Sequence, residues 1–211
     1  MLFRSIGAQR PVAFLNVGGV ANLSWLGVDG AMAAFDTGPG NGLIDLVVQA
    51  RGVGRYDEGG RLAMAGRVDG AALTTLLNSP YFRATGPKSL DRYDFSLDAV
   101  AALSLPDAAA TLTAFTARTV ALAAAQLPAA PTRWLVCGGG RHNPAMMAAL
   151  ADVLGSVESV DAVGLRGDFI EAEAMAYLAA RSVAGLPLTW PETTGVPEPM
   201  TGGVLYRPAG G

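Results

Sequence analysis

Three stretches of this sequence place reactive or ligand-binding side chains beside glycines. The first is Asn16-Val17-Gly18-Gly19-Val20-Ala21-Asn22. A Gly18-Gly19 turn brings backbone close to a ligand, with carboxamides at Asn16 and Asn22 on either side. An ordinary hairpin with polar ends explains the same residues. The second is Asp36-Thr37-Gly38-Pro39-Gly40-Asn41, where a strand-like run passes into a helix-like one. A carboxylate at the carboxyl end of a strand sits where open α/β sheets bind ligands. Gly38, Gly40 and the first N–H groups of the helix suit anionic oxygens. One place could thus hold a general base, Asp36, beside a phosphate; a turn capped by Asp36 is the alternative. The third is Cys137-Gly138-Gly139-Gly140-Arg141-His142-Asn143. Bare glycines let a flat purine or ribose lie on the backbone, though a loop that only needs freedom reads the same. His142 reads as a loop histidine and Cys137 as a core residue. Glu171, in the first turn of the last long helix, could hold a sugar hydroxyl, and it suits the helix dipole equally.

The elements that must position these groups follow from periodicity. Short β-type runs at Val12 to Asn16, Asn22 to Leu26 and Met32 to Asp36 are separated by Gly18-Gly19 and Val28-Asp29-Gly30, an antiparallel meander. Leu43, Leu46, Val47 and Ala50 then mark one face of a helix. The middle, Gly52 to Leu105, is less regular. Asp69 caps a short helix through Leu77, the stretch Ser79-Pro80-Tyr81-Phe82 ends it, and Gly86 to Phe95 is a polar loop. Asp107 opens a long helix through Leu127, with Leu112, Phe115, Thr119 and Leu122 near one face. Trp134 to Cys137 is a buried strand, and Asn143-Pro144 starts a helix through Leu154. Val157 to Val160 is a further strand, and Phe169 to Ala184 a helix closed by Gly185.

Composition narrows the classes. In 211 residues, 51% hydrophobic, there is material for one good core. A net charge of −3 gives no basic field, so neither nucleic acid nor an anionic membrane surface is an expected partner. One cysteine and one histidine exclude an internal disulfide and a zinc site of several imidazoles or thiolates. No metal-ligating residue is assigned. Met1 to Arg10 has no apolar core of signal-peptide length, and the run from Ala114 to Leu127 is broken by Arg118 and other polar residues. The expectation is a soluble, cytoplasmic α/β protein. Gly86-Pro87-Lys88-Ser89 ends like a phosphate-binding P-loop, but its glycine spacing is wrong and no strand precedes it.

Together and in this order, several stretches resemble the anhydro-N-acetylmuramic acid kinase family. They are Asn16 to Asn22, Phe35 to Asn41, Tyr56 to Gly60, Pro80-Tyr81-Phe82, Pro87-Lys88-Ser89, Thr111 to Ala117, Val136 to Asn143 and Glu171-Ala172. The likeness runs from Leu2-Phe3-Arg4 to Tyr206-Arg207-Pro208. It implies a ribonuclease-H-like lobe of the actin-like ATPase fold: an antiparallel meander extended by parallel strands, with helices on both faces. Residues 1–211 would be the second, carboxy-terminal lobe, with a helical insertion at about 52–105. The family uses ATP and magnesium to open the 1,6-anhydro ring of anhydro-N-acetylmuramic acid and phosphorylate O6. The product is N-acetylmuramic acid 6-phosphate, in peptidoglycan recycling. Carried over, Asp36 would take a proton from the attacking water and Glu171 would contact the sugar. Asn16, Gly18, Gly19, Gly38, Gly40, Gly138, Gly139, Gly140 and Asn143 would lie on the nucleotide side.

The chain departs from the family at Leu90-Asp91-Arg92-Tyr93, where Thr-Gly-Arg-Glu is usual, and at Glu173, where an apolar residue is usual. The family's first lobe and its Gly-x-Met-Ser-Gly-Thr-Ser-x-Asp-Gly phosphate loop have no counterpart here. The isolated chain is therefore expected to be incomplete. A homodimer and a separate first-lobe chain remain open as partners. The reading from another class is an inactive nucleotide-binding or interaction module, or one subunit of a split kinase.

Overall fold

The computed structural model describes residues 9–91 and 94–206. The signal-peptide reading of the first residues, the outer ends of the family likeness and the departure at Arg92-Tyr93 therefore lie wholly or partly outside the described residues. Five strands form one sheet: β1 (Val12–Val17), β2 (Val20–Leu26), β3 (Met32–Pro39), β4 (Arg133–Cys137) and β5 (Val157–Ser159). Their order is β3-β2-β1-β4-β5. The pairs β1–β2 and β2–β3 are antiparallel, and β1–β4 and β4–β5 are parallel. A meander extended by two parallel strands is the ribonuclease-H-like arrangement expected from the sequence. β1 is central, and its near-continuous apolar run follows from burial on both faces. Val12 and Phe14 belong to one face, Ala13, Leu15 and Val17 to the other.

The second of those faces is closed by α1 (Gly42–Ala50), α3 (Gly70–Leu77), α4 (Leu105–Ala124) and α5 (Pro144–Leu154). A five-residue α2 (Arg61–Ala65) packs on α4 with them. α4 starts earlier than expected because the Ser104 hydroxyl, not Asp107, is its cap, accepting from the Asp107 N–H at 3.2 Å. It also ends before Leu127. Leu122 is 43% exposed, and Val120 and Ala123 face the core instead. In α1 the buried set is Leu43, Ile44, Val47 and Val48 rather than the 43, 46, 47, 50 face. Adjacent pairs are buried where the helix packs along α4 in the same core. The 52–105 segment is helical in short pieces, and Phe82 and Phe95 stack at 5.5 Å beside Phe115 of α4.

The other face is covered more thinly, by the helical turn at Val160–Val163, whose Val160 is buried with Phe14 and Leu135, and by α6 (Ile170–Val183), whose one buried residue is Ile170. The strap after it holds a four-residue α7 (Pro191–Thr194), which packs against β3. No helix among the described residues is long and apolar enough to cross a membrane.

Candidate active site

Strand register builds a polar row across the α6 face. Asp36 of β3 pairs with Asn22 of β2, Asn22 with Asn16 of β1, and Asn16 with Cys137 of β4. Paired positions share a face, so two amides separate the carboxylate from the Gly138 loop. The row spans three strand spacings, roughly 14 Å. Asp36 and Gly138 are thus at the same end of the sheet but on strands that are not neighbours, because β2 and β1 lie between them. The Cys137 thiol donates to Asn16 Oδ1 at 3.8 Å, and burial pushes its pKa up to about 11, so it orients the amide and is not a reactive thiolate.

Asp36 is half-buried, and desolvation raises its pKa while a hydrogen bond from the Leu90 N–H to Oδ2, at 2.8 Å, opposes the rise. It lines a cavity of about 480 Å³ with Asn22, Ser24, Lys88, Ser89 and Thr194. Glu171 is exposed at the start of α6 and does not line the Asp36 cavity. It lines a small cavity of about 220 Å³ with Asn16, Gly18, Gly138 and Gly139. Asn22 and Asn16 both line a further space beside α6, about 460 Å³, which shares Asn22 and Ser24 with the Asp36 cavity and Asn16 and Glu171 with the small one. The row therefore includes Asn22, which the sequence displayed in a symmetrical Asn-Gly-Gly-Asn hairpin but which was not assigned as a site residue. Lys88 and Tyr81, distant in sequence, are brought to Asp36 only by the fold.

The glycines divide into two kinds. A methyl group on Gly38 would meet Thr119, on Gly40 the Gly18 carbonyl, on Gly138 the Asn16 side chain and on Gly140 the Val17 side chain. These four are required by the protein's own packing. Gly138 also has φ +74, which a side chain rarely adopts. Gly18, Gly19 and Gly139 have neither constraint: the nearest atoms to an added methyl lie at 3.6 Å, beyond 4 Å and at 4.0 Å, respectively.

The expected anion cradle at Gly38, Gly40 and the start of α1 is corrected by the same geometry. The Gly40 and Gly42 N–H groups donate to Gly19 O at 3.0 Å each, and Asn41 N–H donates to Gly18 O at 2.7 Å. The hairpin carbonyls take up these three N–H groups, which are therefore not offered to a ligand. Asn143 caps α5 by accepting from Met146 N–H at 3.1 Å, which gives it a structural task whatever it binds.

Arg141 fixes the third loop. Its side chain is 3% exposed, pairs with Asp161 at 3.0 Å and Asp168 at 2.7 Å, and donates to Gly138 O at 3.0 Å. Glu173, out of place by the family pattern, is paired with Arg166. At the other departure, Leu90 meets Asp36 through its backbone N–H, a contact that its side chain does not decide.

Strand order and the row of Asp36, Asn22 and Asn16 beside open glycines define the class: one lobe of the actin-like ATPase fold. A family model described as anhydro-N-acetylmuramic acid kinase matches residues 2–208, and the chain belongs to that family. Curated relatives of that name include one from Caulobacter vibrioides, 64% identical over 95% of this chain and 54% of its own length. Another, from Rhodospirillum rubrum, is 57% identical over 96% of this chain and 54% of its own. The chain thus spans about half the length of the curated relatives it matches. Among solved structures, a xylulose kinase from Bifidobacterium adolescentis aligns with 72% of this chain and 34% of its own. Its identity is 20% and its TM-score 0.49; the fold is read from strand order instead.

Proposed function

We propose that this chain is the second lobe of an ATP-dependent kinase that opens the 1,6-anhydro ring of anhydro-N-acetylmuramic acid and phosphorylates O6, in the cytoplasm, during peptidoglycan recycling. The observation that carries it is the row from Asp36 through Asn22 and Asn16 to Gly18, Gly19 and Gly139, the glycines the fold itself leaves open. Asp36 takes the proton of a water attacking the anomeric carbon. Burial disfavours its ionised form and so favours proton uptake, and its Oδ1 has no hydrogen-bond partner among the described residues. Asn16 and Asn22 orient oxygen atoms between the base and the nucleotide. The Gly18-Gly19 turn and Gly139 receive the nucleotide at backbone distance. Glu171 holds sugar hydroxyls from the α6 side.

Bound ATP with magnesium supplies the phosphoryl group and neutralises its charge. The open glycines fit a nucleotide. Magnesium needs only one or two carboxylates besides the phosphates, so the absence of a three-ligand cluster among the described residues is no obstacle.

A second reading is an inactive module or one subunit of a split kinase; the chain spans about half the length of its curated relatives, so turnover by these residues alone separates the readings. Phosphoryl transfer needs charge stabilisation from both sides of the cleft, and the phosphate loop expected for the family's first lobe is not among these residues. Purified chain with ATP, magnesium and the anhydro sugar is expected to form no sugar phosphate above background; robust turnover would refute the two-lobe reading. The nucleotide assignment has its own test. Gly19→Ala and Gly139→Ala should leave thermal stability unchanged or slightly raised, yet weaken ATP binding about tenfold or more by calorimetry, roughly 1.4 kcal/mol. Unaltered ATP affinity in both variants would move the nucleotide elsewhere.

A further inference from the structure

We propose that Tyr81 and Lys88 are positioning residues for Asp36: they fasten the 84–91 loop to β3 so that the Leu90 N–H holds Oδ2 and leaves Oδ1 for the proton. This deepens the reading of Asp36 as a base and rests on it. β3 is an edge strand, so the outward N–H and C=O near Asp36 have no neighbouring strand to pair with. The insertion supplies those partners. Asp36 N–H donates to Lys88 O at 3.0 Å, and the Tyr81 hydroxyl donates to Asp36 O at 2.8 Å. With the Leu90 contact, three groups of one residue are held by a segment 45 to 54 positions away in sequence.

Lys88 locks this segment to itself. Its ammonium donates to Tyr81 O at 3.2 Å and Ala84 O at 2.7 Å, and lies 4.8 Å from the Tyr81 ring centre and 5.5 Å from that of Phe35. Among the described residues it makes no ion pair, and burial lowers its pKa. A half-buried cation without a counter-ion is costly for a loop that only needs packing. Here it ties the turn carrying Tyr81 to the strand-like run carrying Leu90, and both ends of that tie meet Asp36. The neighbour of Asp36 on β3, Phe35, supplies a further ring to the same cation. The clamp thus reads as a device for one carboxylate and not for the edge in general.

The test follows the Asp36 carboxyl directly. The chain is labelled with ¹³C-aspartate, the Asp36 signal is assigned by its loss in Asp36→Asn, and it is titrated by NMR. Tyr81→Phe and Lys88→Met should both shift the Asp36 titration upward, because the Leu90 N–H then stabilises the ionised form less well. Leu90→Ala, which keeps that N–H, should titrate like the unaltered chain. Normal Asp36 titration in folded Tyr81→Phe and Lys88→Met would overturn the proposal. If Lys88→Met fails to fold, Tyr81→Phe, which keeps the ring and its packing, decides alone. In an enzyme completed with a first lobe, Tyr81→Phe should lower kcat about tenfold with the sugar KM unchanged. Failure of the general-base reading is seen separately: Asp36→Asn would then retain turnover, while the titration still reports whether the clamp exists.

Discussion

The two faces of the sheet are built to different standards. On the α4 face, Leu112, Phe115, Val120 and Met146 are essentially sealed, and four helices close the layer. On the α6 face one helix buries only Ile170 and stands off a space of about 460 Å³ edged by Asn16 and Asn22. The sealed face carries no assigned catalytic group. The open face carries Asp36, Asn22, Asn16 and Glu171. The same strands serve both, since alternate residues of β1 go to opposite sides. On the proposed function, stability and chemistry are thereby separated at the level of single positions along one strand.

The largest expected effect tests the open face. In an enzyme completed with a first lobe, Asp36→Asn should slow the chemical step by about two to four orders of magnitude in single-turnover kinetics. ATP binding should change little. The folded chain should lose no stability, because an ionised Asp36 is disfavoured by its burial. A large loss of stability with intact turnover would return Asp36 to the role of a turn cap. Glu171→Gln in the same enzyme should mainly weaken sugar binding, by titration, with a smaller effect on the chemical step.

Next comes the sealed face. Phe115→Ala should cost about 3–5 kcal/mol in denaturant unfolding, since the ring is fully buried against Phe82 and Phe95. Ile170→Ala, beside a space that already exists, should cost no more than about 2 kcal/mol. Equal losses would mean that α6 is packed as firmly as α4, and the contrast between the faces would fall.

The smallest effect is a pH dependence at Asp45, in the first turn of α1, whose pKa burial raises to about 6. The folded chain holds this proton more tightly than the unfolded one. The native chain therefore loses stability as pH rises from about 4 to about 6, and the loss is complete above that. Asp45→Asn lacks this loss, so its advantage in melting temperature should grow across that window and then level off. Discounted for the solvent on its open side, the difference is on the order of 1 kcal/mol. A constant difference from pH 4 to 7 would mean that Asp45 is solvated in the folded chain.

Much of this organisation is legible in the sequence. Alternation and Gly-Gly punctuation locate β1 and β2, and Asn143-Pro144 locates the start of α5. Asp69 does cap α3, accepting from Ala72 N–H at 2.8 Å. What local pattern cannot give is which glycine serves the fold and which is left open. Gly40 and Gly19 look alike in sequence, yet one is pressed against the Gly18 carbonyl and the other faces space. The rotated face of α1 and the early start of α4 came from tertiary packing and from a better cap at Ser104. Tyr81 and Lys88 stand in stretches that resemble the family, but their relation to Asp36 spans 45 and 52 positions and is made only by tertiary structure.

The closure of α1 by the hairpin has an electronic consequence. Each carbonyl that accepts a helix-end N–H shares a peptide plane with the next N–H along the turn. The Gly18 carbonyl is polarised by Asn41, and the Gly19 carbonyl by Gly40 and Gly42 together. Withdrawing electron density at oxygen makes the N–H across the same amide a stronger donor. The positive end of α1 is therefore relayed through two peptide groups into the Gly18–Val20 turn, and the Gly19 N–H, which has no partner among the described residues, carries part of it outward. The helix attracts negative charge one loop away from its own first turn.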